Sequence, residues 1–126
     1  MIHILFPFRP QPKGRPRFWK GRAVTPPKTR TYERDVKLWV SKYAPKKPLD
    51  GPLKITARFI LKRPKKPKND LPAVRPDLDN YLKGLLDALN GLLWHDDAQI
   101  VEMHALKLYD EPERLGERIV IVVEEI

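Results

Sequence analysis

A single α+β domain, with a mixed sheet of about four strands and two helices packed on one face, is the fold class this sequence predicts. Three observations carry that expectation. Two stretches repeat their apolar residues at helical spacing, and four others alternate or run apolar as strands do. Their order is strand, arm, helix, strand, loop, helix, strand, strand, which departs from the strict strand–helix alternation of an α/β protein. The 126 residues, 41% of them hydrophobic, supply one modest core and not two, so residues 1–126 are read as one domain.

Each element has its own reason. Ile2, Ile4 and Phe6 alternate along a short first strand. Residues 7–28 follow as a basic arm, in which Pro7, Pro10, Pro12, Pro16, Pro26 and Pro27 resist both helix and central strand. Over residues 31–44 the positions Tyr32, Val36, Trp39, Val40 and Tyr43 recur at helical spacing, and Pro45 and Pro48 stop the helix. Leu53, Ile55, Ala57, Phe59 and Leu61 then alternate with Lys54, Thr56 and Arg58, the period of a half-buried strand. Lys62-Arg63-Pro64-Lys65-Lys66-Pro67-Lys68 is too charged to bury and opens a basic loop, residues 62–76. A second helix begins at Asp77 or Leu78 and ends at Asn90. Leu78, Leu82, Leu85 and Leu89 form its apolar stripe, widened by Tyr81, Leu86 and Ala88, and Gly91 suits a left-handed cap. Residues 99–109 and 118–125 complete the sheet, joined by a turn over 110–116. The apolar last strand is a candidate for edge pairing between two copies of the chain.

Charge is distributed unevenly over this frame. Residues 1–68 hold 20 Lys and Arg against 3 Asp and Glu, whereas residues 69–126 hold 5 against 13, within a formal net charge of +9. With a pI near 9.9, the composition points to a polyanionic partner, a nucleic acid or an anionic membrane surface. No apolar run approaches the roughly 20 residues that span a bilayer, and the start of the chain lacks the pattern of a signal peptide. A membrane partner is therefore not expected, and a cytoplasmic location is. Cysteine is absent, which excludes disulfides, thiolate zinc sites and cysteine nucleophiles. His3, His95 and His104 lack metal-ligand spacing, and Ser41, the only serine, has no nucleophile context; His95 beside Asp96 is at most an acid/base candidate.

The acids of the second half carry the chemistry. Asp77 and Asp79 straddle the start of the second helix, where free backbone N–H groups and the helix dipole favour negative charge. Lys83 follows Asp79 by four residues on the same helix face, placed to stabilise charge on a phosphate or to help protonate a leaving group. Asp97 opens the next strand, and if that strand packs beside the helix with its first turn at the helix N-terminus, a third carboxylate reaches the same point. Three carboxylate oxygens suit Mg²⁺ or Mn²⁺, hard ions that activate water and clamp a phosphate.

A structural reading stands beside each of these. Asp77 and Asp79 also suit helix capping, Asp79 with Lys83 an exposed i,i+4 pair worth about 0.3 to 0.5 kcal/mol, and Asp96-Asp97 a polar turn. Gly84 costs its helix roughly 1 kcal/mol relative to Ala, which is more easily understood where another backbone, a ligand or a tightly packed helix comes close. Phe18-Trp19 lies among Arg15, Arg17, Lys20 and Arg22; interleaved rings and cations stack on bases and bind phosphates, or the two rings cover the core.

The segment Arg75-Pro76-Asp77-Leu78-Asp79-Asn80-Tyr81-Leu82-Lys83, followed by Asp87-Ala88-Leu89 and Asp96-Asp97-Ala98-Gln99-Ile100, resembles the signature of the RusA family of Holliday junction resolvases. The family pattern is R-x-D-x-D-N-x-x-K, a D-A-L turn at the end of an apolar helix, and D-D-x-Q-[IV]. The close match covers about a quarter of the chain and the remainder agrees in layout. The resemblance implies a homodimeric, Mg²⁺- or Mn²⁺-dependent endonuclease, often of prophage origin, that resolves four-way DNA junctions by paired symmetric nicks in recombination and repair. By matching positions it implies Asp77, Asp79 and Asp97 as metal-binding catalytic acids, Lys83 as the essential lysine and Asp96 as a neighbouring acid of the metal site. The basic loop is longer than expected for the best-known member, which bears on the preferred cleavage sequence.

The expected DNA grip consists of Lys13, Arg15, Arg17, Lys20 and Arg22 in the arm with Lys62, Arg63, Lys65, Lys66, Lys68 and Arg75 in the loop. Two rival classes share these features. A non-catalytic DNA-binding protein is suggested by Lys13-Gly14-Arg15-Pro16-Arg17, which resembles a minor-groove AT-hook core, and a metal-dependent RNA nuclease would use the same acids.

Overall fold

The computed structural model of the protein describes residues 1–14 and 17–126; Arg15 and Pro16, and the side chains of Arg17 and Trp19, lie outside the described part. Among the described residues six strands, β1 (Ile2–Phe6), β2 (Arg17–Trp19), β3 (Arg22–Val24), β4 (Leu53–Leu61), β5 (Ile100–Tyr109) and β6 (Arg118–Glu125), accompany two helices, α1 (Pro27–Val40) and α2 (Leu78–Leu89). The main sheet has the order β1-β6-β4-β5. β6 pairs antiparallel with both β1 and β4, and β5 runs parallel to β4, so the sheet is mixed as expected.

Alternation assigns the faces. Ile4 and Phe6 of β1, Ile119, Ile121 and Val123 of β6, and Leu53, Ile55, Ala57 and Phe59 of β4 are buried on one side. Tyr32, Val36 and Val40 of α1 and Tyr81, Leu85, Ala88 and Leu89 of α2 close over them. Trp94 and Leu93, in the link after α2, are fully buried and seal the end of this layer. α1 lies against β1 and α2 against β5, so the helices cover opposite halves of one sheet face.

Several boundaries differ from the sequence reading, each for a physical reason. α1 begins four residues early because Pro27 is its first helical residue, where a missing N–H costs nothing and a fixed φ helps. The arm is not irregular throughout. β2 and β3 form a separate two-stranded ribbon, closed by Lys20 (φ 50) and Gly21 (φ 75), the paired left-handed backbone that a two-residue hairpin turn requires. Tyr43, expected on the apolar stripe of α1, falls beyond the helix end and is 43% exposed. The last strand is not an edge. β6 is paired on both sides, so the edge-pairing role foreseen for it is excluded, and the two open edges of the main sheet are β1 and β5.

Among the described residues no helix is long and apolar enough to cross a membrane.

Candidate active site

α2 builds half of the site. Asp77 is its N-cap residue with extended backbone (φ −68, ψ 147), and its carbonyl accepts from the Asn80 and Tyr81 N–H groups, yet its carboxylate makes no capping hydrogen bond. Asp77, Asp79, Asn80 and Lys83 are all exposed. No ion pair joins Asp79 to Lys83 among the described residues, so neither the side-chain cap nor the i,i+4 pair accounts for these groups.

The basic arm covers one flank of the same helix. The Lys13 N–H donates to the Asn80 carbonyl at 3.1 Å, and the Lys13 ammonium pairs with Asp87. A Cβ at Gly84 would stand 3.1 Å from the Gln11 carbonyl oxygen and 3.2 Å from the Lys13 nitrogen. The glycine is thus explained by the arm's backbone, not by a ligand. Helical spacing turns Asp79, Leu82 and Leu86 to the opposite flank, beyond the β5 edge, with Lys83 on the exposed ridge between.

The second group of acids lies in the turn before β5. Asp96 caps the short 3-10 turn Asp97–Gln99: its carboxylate accepts from the Ala98 N–H at 2.9 Å, while the Gln99 side chain accepts from the Asp96 N–H at 2.9 Å. The Gln99 amide donates to the Leu49 and Gly51 carbonyls at 2.9 and 3.0 Å, fixing the turn to the start of β4. The buried Trp94 indole donates to one Asp97 oxygen at 2.8 Å and leaves the other free. The His95 ring is engaged by Asp50 at 2.9 Å.

The expectation that one chain brings Asp97 to the N-terminus of α2 is overturned by topology. β4 and β5 are parallel, so α2 is the crossover that returns from the end of β4 to the start of β5. Lys107, opposite Phe59 late in β5, donates to the Val74 and Pro76 carbonyls at 2.6 and 3.0 Å and pins the Asp77 end there. Asp97 sits at the other end, three residues before Ile100. The 12 residues of α2 separate the two groups by about 18 Å. Consistently, no group of three His, Cys, Asp or Glu side chains among the described residues is arranged to hold a metal.

Two of the candidate cations, Lys62 and Arg75, line a cavity together with Pro76 at the Asp77 end. Lys20, Arg22, Lys62, Lys65, Lys66, Lys68 and Arg75 are exposed, and Phe18 stands 80% exposed on the hairpin. Arg15 and the Arg17 side chain fall outside the described residues. Lys13 and Arg63 have structural partners. Arg63 donates to the Asp110 carbonyl at 2.8 Å, tying the basic loop to the β5–β6 turn. There the Gly116 N–H and the Arg118 guanidinium hold the Asp110 carboxyl below its usual range. Trp94, Gln99 and Lys107 were not singled out by sequence reasoning. Gln99 had a visible signal, its place in the D-D-x-Q-[IV] segment, and Trp94 stands only three residues before its partner Asp97; Lys107 had none, because Val74 and Pro76 are remote in sequence.

Comparison with known proteins agrees with this layout. Residues 7–123 match the family described as endodeoxyribonuclease RusA. An uncharacterized protein, YqaN of Bacillus subtilis (strain 168), is 31% identical over 117 residues, covering 83% of this chain and 82% of its own length. A match across nearly the whole chain, on a fold that exposes the signature acids and lysine, makes this protein a member of the RusA endodeoxyribonuclease family.

Proposed function

We propose that this protein is a homodimeric resolvase that cuts four-way DNA junctions by paired, metal-dependent phosphodiester hydrolysis, serving recombination and repair. The observation that carries the reading is the pair Asp77 and Asp79, exposed and without capping bonds, one turn from Lys83 in a chain of this family. Their oxygens suit a hard divalent cation. Mg²⁺ or Mn²⁺ bound there supplies an activated water and a neutralised phosphate. Asp77 and Asp79 bind the ion, Lys83 places its ammonium against the non-bridging oxygens as charge develops, and Asp97 supplies the third carboxylate with Asp96 holding its turn in place.

The third carboxylate comes from a second copy. β5 is an edge strand of 10 residues, and Val101 is 64% exposed on it. Antiparallel pairing of two β5 edges about a two-fold axis sets the start of one strand beside the end of the other. Asp97 of the partner subunit then lies next to Asp77 and Asp79, and the reciprocal site forms at the other end. Two composite sites related by a two-fold match a substrate of the same symmetry that needs two coordinated nicks.

The hairpin and the loop 62–76 form the DNA grip, Lys20, Arg22, Lys65, Lys66, Lys68 and Arg75 on phosphates and Phe18 on an exposed base face. Lys13 instead braces the arm on α2 through Asp87. Changing Lys65, Lys66 and Lys68 together to Ala weakens junction binding and lowers the slope of log K against log salt by about 0.9 for each phosphate no longer neutralised, if the arms behave as B-DNA. A slope equal to wild type rules these lysines out as phosphate ligands. The function itself is tested by labelled four-way junction, duplex DNA, single-stranded DNA and RNA, each with Mg²⁺ or EDTA. Paired nicks in the junction alone, abolished by EDTA, are expected. Cleavage of RNA in preference, or binding without any cleavage, refutes the assignment.

A further inference from the structure

Where β4 and β5 end, a cavity of about 560 Å³ opens beside the N-terminus of α2, floored by Tyr81, Tyr109 and Glu117 and rimmed by Arg9, Lys62 and Arg75. Pro76 is part of its wall, so the cavity adjoins Asp77 directly. Tyr81 is 4% exposed, and its ring is stacked on Phe59 with centroids 5.5 Å apart. Among the described residues its hydroxyl has no hydrogen-bond partner. Glu117 is similarly underused: its nearest cation, Arg9, is 3.8 Å away, beyond hydrogen-bond range, and 78% exposed.

A phenol hydroxyl open to the cavity and a carboxylate with only a long ion pair to Arg9 face a space lined by aromatic rings and rimmed by three cations. Those features choose among ligands. A free phosphate would be drawn to the rim and repelled by Glu117, while an apolar molecule would leave both polar groups unpaired. A nucleotide satisfies all of them, its phosphates meeting the cations, its base meeting the rings, and an N–H on the base edge meeting the carboxylate. Duplex DNA cannot enter a cavity of this size. A nucleotide already unpaired at a branch point can, at the lowest unstacking cost.

We infer that the cavity receives one unpaired nucleotide of the DNA junction beside the phosphate held at Asp77, with Arg9, Lys62 and Arg75 on its phosphates and Tyr81 and Glu117 on its base edge. The inference rests on the proposed junction reading and adds a source of sequence preference, since a base recognised here biases where a mobile branch point stops and is cut.

The test uses the full chain as wild type, Tyr81→Phe and Glu117→Gln. Tyr81→Phe keeps the ring on Phe59 and Glu117→Gln keeps the side-chain shape, so both fold. Nicks are mapped by sequencing on a junction whose core migrates through mixed sequence, and in EDTA the emission of 2-aminopurine at the branch point reports unstacking. Wild type should show uneven cutting and increased emission on binding. Each variant should keep wild-type affinity for plain duplex, lose the emission increase, and narrow the ratio between best- and worst-cut sequences by about tenfold, the discrimination of one good base contact. A cutting pattern and an emission change identical to wild type in both variants overturn the inference, as does wild-type binding with no emission change. If wild type cuts no junction while its emission change still depends on Tyr81, the cavity stands and the resolvase reading falls.

Discussion

Asp79→Asn is expected to bind four-way junctions at least as tightly as the natural protein and to cut them at least about a thousandfold more slowly, a loss of roughly 4 kcal/mol of transition-state stabilisation. The substitution removes one negative charge and almost no volume. Phosphate repulsion at the site therefore falls, while the set of oxygens that suits a divalent cation loses a member. Asp79 lies in the first turn of α2 with no hydrogen bond or ion pair among the described residues, so folding loses only the helix-dipole attraction, about 0.3 to 1 kcal/mol. Asp77→Asn and Asp97→Asn should behave alike. Lys83→Ala should fold, bind and cut roughly a hundredfold more slowly, since it removes one donor to the phosphate oxygens and no ligand. Rates from labelled junctions on denaturing gels, with affinities measured in EDTA, decide the matter. Near-normal cleavage by Asp79→Asn reduces this acid to a helix-terminal charge.

The placement of these acids and the lysine is visible in the sequence because it depends on local order. Asp77, Asp79 and Lys83 occupy one helix, and a helix places residues i and i+4 on one side whatever surrounds it. The strands of the main sheet were legible for the same reason: Leu53 to Leu61 alternates, and β4 spans those residues. Pairing was not legible. Nothing in the apolar run Ile119 to Val123 states that β6 inserts between β1 and β4, because that is decided by competition among strands for neighbours. The error over Asp97 has this origin. Whether a helix N-terminus meets the start or the end of the following strand depends on whether the flanking strands are parallel, and here they are. Gly84 shows the reverse case, in which the close approach was readable from the residue type and the approaching group, the backbone of Gln11 to Lys13, was not.

That topology leads to the decisive experiment on assembly. In the proposed two-fold arrangement about β5, each site would take Asp77 and Asp79 from one chain and Asp97 from the other. Asp79→Asn and Asp97→Asn homodimers then carry one lesion in each of their two sites, and both are inactive. A heterodimer of the two, made by co-expression with different affinity tags, gathers both lesions into one site and leaves the other intact. It should nick junctions at up to about half the natural rate, one working site of two, and produce single nicks without the paired cut. A heterodimer of Asp77→Asn with Asp79→Asn has a lesion in each site however it assembles and should remain inactive, which separates true reconstitution from subunit exchange with contaminating natural chains. If one chain instead closed its own site by a rearrangement that carried Asp97 the length of α2, every chain in both heterodimers would be defective and neither would cut. Activity in the first heterodimer alone therefore places the two ends of α2, about 18 Å apart in one chain, at a single phosphate in the dimer.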